Sequence, residues 1–400
     1  MNEGMSRIAP NGGSMLTVFE KARQEFPAAT ALTYVDISAR NPMSNRVRAA
    51  IEAYLDDRQR SLDNKHLWFE KVERVRAKVA SLLGAESDDI TFTKNTSHGI
   101  TSVIASLPWE AGDNAIITPD FEHPNNVYPW LPLRRCGVKI KTLPLEGPVV
   151  TLEQLERAAD ADTKAIGIAS VSFATGGRVD LDGIAGFCKE RGIFLMVDGV
   201  QSFGIMPLDV RRTPISALAS ATSKSLLGLY GLGVLYCRDA ANLDPMQLSR
   251  FGVDLGDEHE YVQGDIAYKL AAGARRFDMG NYNYLAIHAL DAGLDHILEI
   301  GVEQIQAHVL RLSGDLTEGL THMGFQLVSS TNPSELSHVV VCAPPPGGAS
   351  IPECSKLLND NGIRHTIRRF GLRMSFHLYN NASDVERILT VLARVPGARS

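Results

Sequence analysis

Phe194-Leu195-Met196-Val197-Asp198-Gly199-Val200-Gln201-Ser202 is an apolar run that stops on a carboxylate and a glycine. A short continuous apolar run bounded in this way reads as a strand buried on both faces. Similar runs flank it: Ile90-Thr91-Phe92-Thr93, Ala115-Ile116-Ile117, Val138-Lys139-Ile140, Ala165-Ile166-Gly167-Ile168 and Gly233-Val234-Leu235-Tyr236. Stretches near 97–107, 124–135, 151–160 and 180–190 carry a helical pattern between them. Strands and helices in alternation predict an α/β fold, with a mostly parallel sheet flanked by helices. Open sheets of this kind bind ligands outside the carboxyl ends of their strands, and Asp198 stands at such an end.

Upstream, Trp68, Val72, Val75, Val79 and Leu82 recur at spacings of four, three, four and three, one apolar face of a helix that Gly84 ends. Downstream, 283–323 is helical, with Gly301 and Gly314 as its expected breaks. The pattern then changes to a strand at Ser337–Cys342, a Pro/Gly loop at Ala343–Ile351, a helix, further strands and a final helix. This predicts a second, smaller α+β domain. The expected organisation is a large domain over 31–285, a small C-terminal domain over 286–400, and an N-terminal extension, 1–30, belonging with the small one.

The 400 residues are 44% hydrophobic and 22% charged, the mix of a soluble globular protein. A net charge of -6 offers no general attraction for nucleic acid. Five cysteines without a C-x-x-C spacing speak against a disulfide framework or a zinc ribbon, so no metal site is expected. The polar start of the chain has no signal-peptide core, and no apolar run approaches the ~18 residues of a membrane span. A cytoplasmic protein that engages no membrane is expected.

The chemistry is carried by a second stretch, Ala221-Thr222-Ser223-Lys224-Ser225-Leu226-Leu227-Gly228-Leu229-Tyr230-Gly231-Leu232-Gly233. No other charge appears between Lys224 and Arg238. Burial lowers the pKa of an ammonium and frees its amine for covalent catalysis. Taken singly, Asp198 also reads as a turn or N-cap residue and Lys224 as a solvated side chain. Together they are what pyridoxal phosphate needs: an amine to hold its aldehyde covalently and a carboxylate to keep its pyridine nitrogen protonated. The cofactor phosphate calls for a helix N-terminus with small hydroxyl residues, and Asn95-Thr96-Ser97-His98-Gly99 follows a strand and opens a helix. The ring calls for a flat group on its face, and Phe121-Glu122-His123-Pro124-Asn125-Asn126 offers His123. Arg58, Arg60, Asn64, Lys65 and His66 form a charged stretch that reads either as a solvated loop or as the lining of an entrance.

With these pieces in place the chain resembles the class V aminotransferase family of fold type I pyridoxal phosphate enzymes, in the branch near isopenicillin N epimerase and the cysteine desulfurases. The resemblance rests on Asn95-Thr96-Ser97-His98-Gly99, on Glu122-His123-Pro124-Asn125-Asn126-Val127-Tyr128-Pro129-Trp130, and on the segment from Val197 to Asp209. It continues with Lys224 to Gly231, Arg275-Arg276-Phe277-Asp278-Met279-Gly280 and Leu372-Arg373-Met374-Ser375-Phe376-His377-Leu378-Tyr379-Asn380, so that it covers Tyr34 to Leu392 in family order. It implies that Lys224 bonds covalently to the cofactor, that Asp198 faces the ring nitrogen, that Gln201 faces the ring hydroxyl oxygen and that His123 stacks on the ring. It implies further that Thr96, Ser97 and Ser223 hold the phosphate and that Asn126 counts among the cofactor-binding residues. Gly280 and Asn281 would come from a neighbouring subunit, because sites of this family form at a homodimer interface. Arg373 would grip the carboxylate of an amino-acid substrate, for which a guanidinium fork is suited.

Three departures from the family pattern stand out. Ser223 precedes the lysine where His or an aromatic residue is usual. Asn281-Tyr282 replaces the commoner Thr-Pro or Glu-Arg. The segment from Gly362 to Arg373 holds no cysteine, whereas cysteine desulfurases carry one shortly before the arginine.

Two rival classes are weighed. Gly228, Gly231 and Gly233 read G-x-x-G-x-G before a strand, the reverse of a dinucleotide fingerprint. A catalytically dead relative acting as a binding protein is disfavoured, because the cofactor residues are all present. The functional expectation is a pyridoxal phosphate enzyme acting on the Cα-amino group of an amino acid by transamination. The alternatives are a carbon–sulfur lyase working by β-elimination, an epimerase, or a decarboxylase.

Overall fold

The computed structural model describes residues 16–60, 65–144, 146–254 and 268–399. Seven strands form the main sheet: β1 (Ile90–Thr93), β2 (Asn114–Ile117), β3 (Lys139–Thr142), β4 (Thr163–Ala169), β5 (Phe194–Asp198), β6 (Ala217–Ala221) and β7 (Gly233–Cys237). Their order is β1-β7-β6-β5-β4-β2-β3. β7 runs antiparallel to both of its neighbours, and the remaining pairs are parallel. The fold is therefore the expected α/β fold with a mostly parallel central sheet. Leu195, Met196 and Val197 are fully buried in succession, as are Ala217, Leu218 and Ala219, so central strands here are apolar at successive positions instead of alternating.

The sequence passed over one strand. Ala217-Leu218-Ala219-Ser220-Ala221 has little intrinsic strand preference, yet it pairs with β5 (Met196 opposite Ala217, Asp198 opposite Ala219) and with β7. Its small side chains fit between two bulkier neighbours. The helix read near 124–135 is replaced by two 3-10 segments, Pro124–Asn126 and Tyr128–Cys136. Pro124, Pro129 and Pro132 each remove an amide donor that an α-helix would use.

Helix Lys65–Leu83 buries Trp68, Val72, Val75 and Val79, the face that the spacing marked out. The stretch 283–323 is two helices, Tyr284–Ile300 and Val302–His322. They meet at Gly301, whose φ is +89°, while Gly314 lies uninterrupted inside the second. Four strands, β8 (Gln326–Leu327), β9 (Val339–Ala343), β10 (Thr366–Arg368) and β11 (Gly371–Ser375), build an antiparallel sheet in the order β8-β9-β11-β10. Helices Ile351–Asp360 and Ala382–Leu392 belong to the same region of the chain. The short helix Val18–Gln24 docks there too: Phe19 stacks on His308 at 3.8 Å, and Arg23 pairs with Asp384 at 2.7 Å. Residues 1–15 of the expected N-terminal extension lie outside the described residues.

The loop after β6 is tightly held. Leu227 has φ +58°, a left-handed conformation that costs a non-glycine residue roughly 1–2 kcal/mol. It persists because Leu227 N donates to Lys224 O, Gly228 N donates to Thr222 O, and His377 Nε2 lies 2.9 Å from Ser225 O. Gly293, on the helix beneath, leaves room for the loop: a Cβ there would stand 2.7 Å from Leu226 O.

Candidate active site

Five strand ends converge on one cavity of about 440 Å³. β5 ends in Asp198, and β6 runs into the loop that carries Lys224. β1 leads through Asn95 into helix Thr96–Ile104, β2 into the turn that holds Glu122 and His123, and β4 into the segment reaching Phe173. Of the residues singled out from the sequence, Asp198, Lys224, His123, Thr96, Gln201 and Ser223 line this cavity.

Lys224 is the centre of the site. Among the described residues it forms no hydrogen bond or ion pair, so its amine is free to face the cavity. Burial pushes it down to about 8, and the charge of Asp198 offsets part of that shift. Asp198 is almost fully buried, and Val200 N donates to its Oδ1 at 2.9 Å. Burial raises its carboxyl to about 6, against the pull of that amide and of Lys224.

His123 is half-buried, and its Nδ1 accepts from Asn125 N at 3.2 Å. That contact leaves the proton of the neutral ring on Nε2. Burial first, and then the charges of Lys224, Arg368 and Arg373, hold its pKa down at about 4, so the ring is neutral. Gln201 is fixed by donating from Nε2 to Ser38 O at 3.2 Å.

A helix N-terminus opens on the same cavity. Asn95 caps it by accepting from His98 N at 2.9 Å, which leaves the first free amides and Thr96 at the wall. Gly233 lies against the backbone just before it, where a Cβ would stand 2.9 Å from the Asn95 carbonyl carbon. Ser38 also lines the cavity, and its Oγ is buried without a protein partner. A free amine, a buried carboxylate, an anion-accepting helix end and an unused hydroxyl together fit a flat, anionic, aldehyde-bearing group.

The remaining sequence candidates lie off the wall of this cavity. Ser97 is half-buried one residue behind Thr96. Asn126 is buried behind Glu122, donating from Nδ2 to Glu122 Oε2 at 3.0 Å. Gly280 and Asn281 follow the turn Gly273–Phe277 and do not line this cavity. Arg58, Arg60, Lys65 and His66 do not line it either, and Asn64 lies outside the described residues.

Arg373, on β11, is 1% exposed. Its Nη1 donates to Phe173 O at 3.2 Å, and its guanidinium carbon lies 4.8 Å from the Phe173 ring centre. Its Nε and Nη2 find no partner. Burial lowers it to about 9, and the charge of Arg368 adds to that shift.

Three wall residues were missed in the sequence. Glu122 accepts from Thr118 Oγ1 at 3.0 Å and from Ala169 N at 2.6 Å, and burial with the Asp198 charge raises its carboxyl to about 8. Phe173 meets His123 edge-on, with ring centres 4.8 Å apart. Arg368 reaches the cavity from β10. Its signal was the hairpin itself: Thr366 pairs with Arg373, so Arg368, two residues on, shares their face.

Comparison with known proteins gives one consistent result. The sequence profile described as Aminotransferase class-V matches residues 33–388. A Schizosaccharomyces pombe protein described as an uncharacterized aminotransferase is 30% identical, over 91% of this chain and 91% of its own. A probable cysteine desulfurase of Methanothermobacter thermautotrophicus is 27% identical, over 94% of this chain and 98% of its own. The apo structure of a cysteine desulfurase from Thermococcus onnurineus superposes with a TM-score of 0.83 at 25% identity, covering 94% of this chain and 98% of that one.

Proposed function

This chain belongs to the class V aminotransferase family, whose members use pyridoxal phosphate, and from that premise we propose that it acts on the Cα-amino group of an amino acid by transamination. The observation that carries the reading is the free, partly buried amine of Lys224 in one cavity with the carboxylate of Asp198.

The cofactor, when bound, supplies an electron sink for the charge that develops at the substrate Cα. Asp198 would hold the proton on the ring nitrogen, and Gln201 would contact the ring hydroxyl. The N-terminus of helix Thr96–Ile104, with Thr96, Ser97 and Ser223, would hold the phosphate. His123, neutral, would cover one face of the ring. Lys224 Nζ would bind the aldehyde and, once displaced by the substrate amine, move the Cα proton; a value of about 8 leaves it able to do so near neutral pH. Arg373 would hold the substrate carboxylate.

Elimination with cleavage of a carbon–sulfur bond is the second reading, favoured by relatives named as cysteine desulfurases. A persulfide on the protein is disfavoured: Cys188, Cys237, Cys342 and Cys354 are buried, Cys136 is exposed, and none of them lines the cavity. Incubating the loaded protein with a panel of amino acids separates the readings. An oxo acid with a bleached cofactor band supports transamination; pyruvate with released sulfide supports elimination.

The reading includes a homodimer with shared sites. Its support is that Gly280 and Asn281, which the family resemblance assigns to the cofactor, stand off their own cavity with Asn281 exposed. Sedimentation that gives only a 43.5 kDa species, active at nanomolar concentration, would overturn this. A cytoplasmic location belongs to the same reading and is supported by five cysteines without a disulfide. Among the described residues no helix is long and apolar enough to cross a membrane.

A further inference from the structure

Two arginines share one aromatic ring beside the cavity. The guanidinium carbon of Arg373 lies 4.8 Å from the centre of the Phe173 ring, and that of Arg368 lies 5.3 Å from it. They come from adjacent antiparallel strands and project on one face. Arg369, next in the turn, pairs with Asp120 at the start of the His123 loop. This pins the hairpin across the mouth of the site.

Neither Arg368 nor Arg373 has a carboxylate within 4.0 Å among the described residues, and Arg368 Nε, like Arg373 Nε and Nη2, is buried without a partner. Asp36 is a nearby acid, whose charge acts on Arg373, but it stands beyond ion-pairing distance of both. Lys224 adds a third cationic group and His123 is neutral. Glu122 and Asp198, the acids on this wall, both carry raised pKa values. Bringing two guanidiniums together without counter-ions is unfavourable, and anionic groups that pair with both relieve the cost. One α-carboxylate accounts for Arg373 alone.

Resting on the function proposed above, we propose that Arg368 binds a second acidic group of the substrate, so that this enzyme selects amino acids with an acidic side chain. Phe173 lies against both guanidiniums. Arg368 takes the distal group at the cavity wall, and Arg373, buried against Phe173, takes the α-carboxylate once the Phe173 ring turns aside.

The test uses cofactor-loaded protein and calorimetric titration with glutarate, a dicarboxylate, and butyrate, a monocarboxylate, alongside the shift of the cofactor absorbance. Glutarate should bind at least tenfold more tightly than butyrate. In Arg368→Gln that advantage should shrink to less than twofold, and in Arg368→Lys part of it should return. Equal binding of the two acids to the wild type, or a preference that survives Arg368→Gln, overturns the proposal. Inorganic phosphate that competes as well as glutarate also overturns it, since Arg368 then serves a phosphate group. A protein that takes up no pyridoxal phosphate overturns the proposed function instead, and the same titrations on the cofactor-free protein still read the two arginines.

Discussion

Arg23 forks onto Asp384, with Nη1 to Oδ2 at 2.7 Å and Nη2 to Oδ1 at 3.0 Å, joining the first described helix to the last. Asp384 sits on the final helix. Arg373, by contrast, has only a backbone carbonyl and an aromatic ring among the described residues. The two arginines thus differ in kind, one paired with a buried carboxylate and the other without a carboxylate partner among the described residues.

Removing Arg23 should cost stability and leave chemistry alone. In Arg23→Ala, Asp384 keeps Asn380 Nδ2 at 3.0 Å and Asn381 N at 3.1 Å but loses its counter-charge. The expected loss is about 2–4 kcal/mol, read as a lower urea midpoint. Activity per folded molecule should be unchanged; a stable variant with impaired kcat would refute the structural role.

Arg373→Gln should do the opposite. Its cofactor spectrum and melting temperature should stay near the wild type, while kcat/KM for amino acids falls by about tenfold to a few hundredfold, the cost of a charge-assisted fork. A variant that melts early with normal turnover per folded molecule would assign Arg373 to the fold.

Borohydride reduction of the loaded protein should fix the cofactor on the peptide that contains Lys224, and Lys224→Ala should carry no such label. Label on any other lysine, recovered by peptide mapping, would sink this assignment.

Crowding the lysine loop from outside should disturb it. In Gly293→Ala the new Cβ would stand 2.7 Å from Leu226 O and 2.9 Å from Leu227 O. Overpacking of this kind costs about 1–3 kcal/mol. Lower stability together with weaker cofactor affinity is expected; an unchanged dissociation constant for pyridoxal phosphate would show that the loop is insensitive to the helix beneath it.

Acid should destabilise the protein through buried histidines. Burial holds His377 and His296 at about 4 and His338 at about 3. In the unfolded chain each would titrate near 6.5, so their stability is whole above that pH and is lost as pH falls from there toward the folded values. Glu122 and Asp198, raised to about 8 and about 6, act in the opposite sense, gaining stability as pH falls. A variant isolates one histidine: between pH 6 and 4.5, His338→Asn should lose stability less steeply than the wild type, by about 1.4 kcal/mol per pH unit. Parallel urea titrations would contradict this.

By itself the sequence determined the α/β class and the strand ends and singled out Asp198 and Lys224, because these rest on local pattern: apolar runs, a carboxylate at a strand terminus, and a lysine with no charged neighbours. Hydrophobic periodicity likewise placed helix Lys65–Leu83. The strand Ala217–Ala221 was not legible, since its conformation comes from its neighbours in the sheet and not from its own residues. The arginine on the cavity wall was also decided by tertiary structure. The family resemblance implied Arg373 as the substrate's partner, but only the packing of Phe173, 200 residues away in the chain, stands a ring beside it and brings Arg368 to the wall. Contacts of that separation are fixed by how the two sheets pack together, and no periodicity within one segment records them.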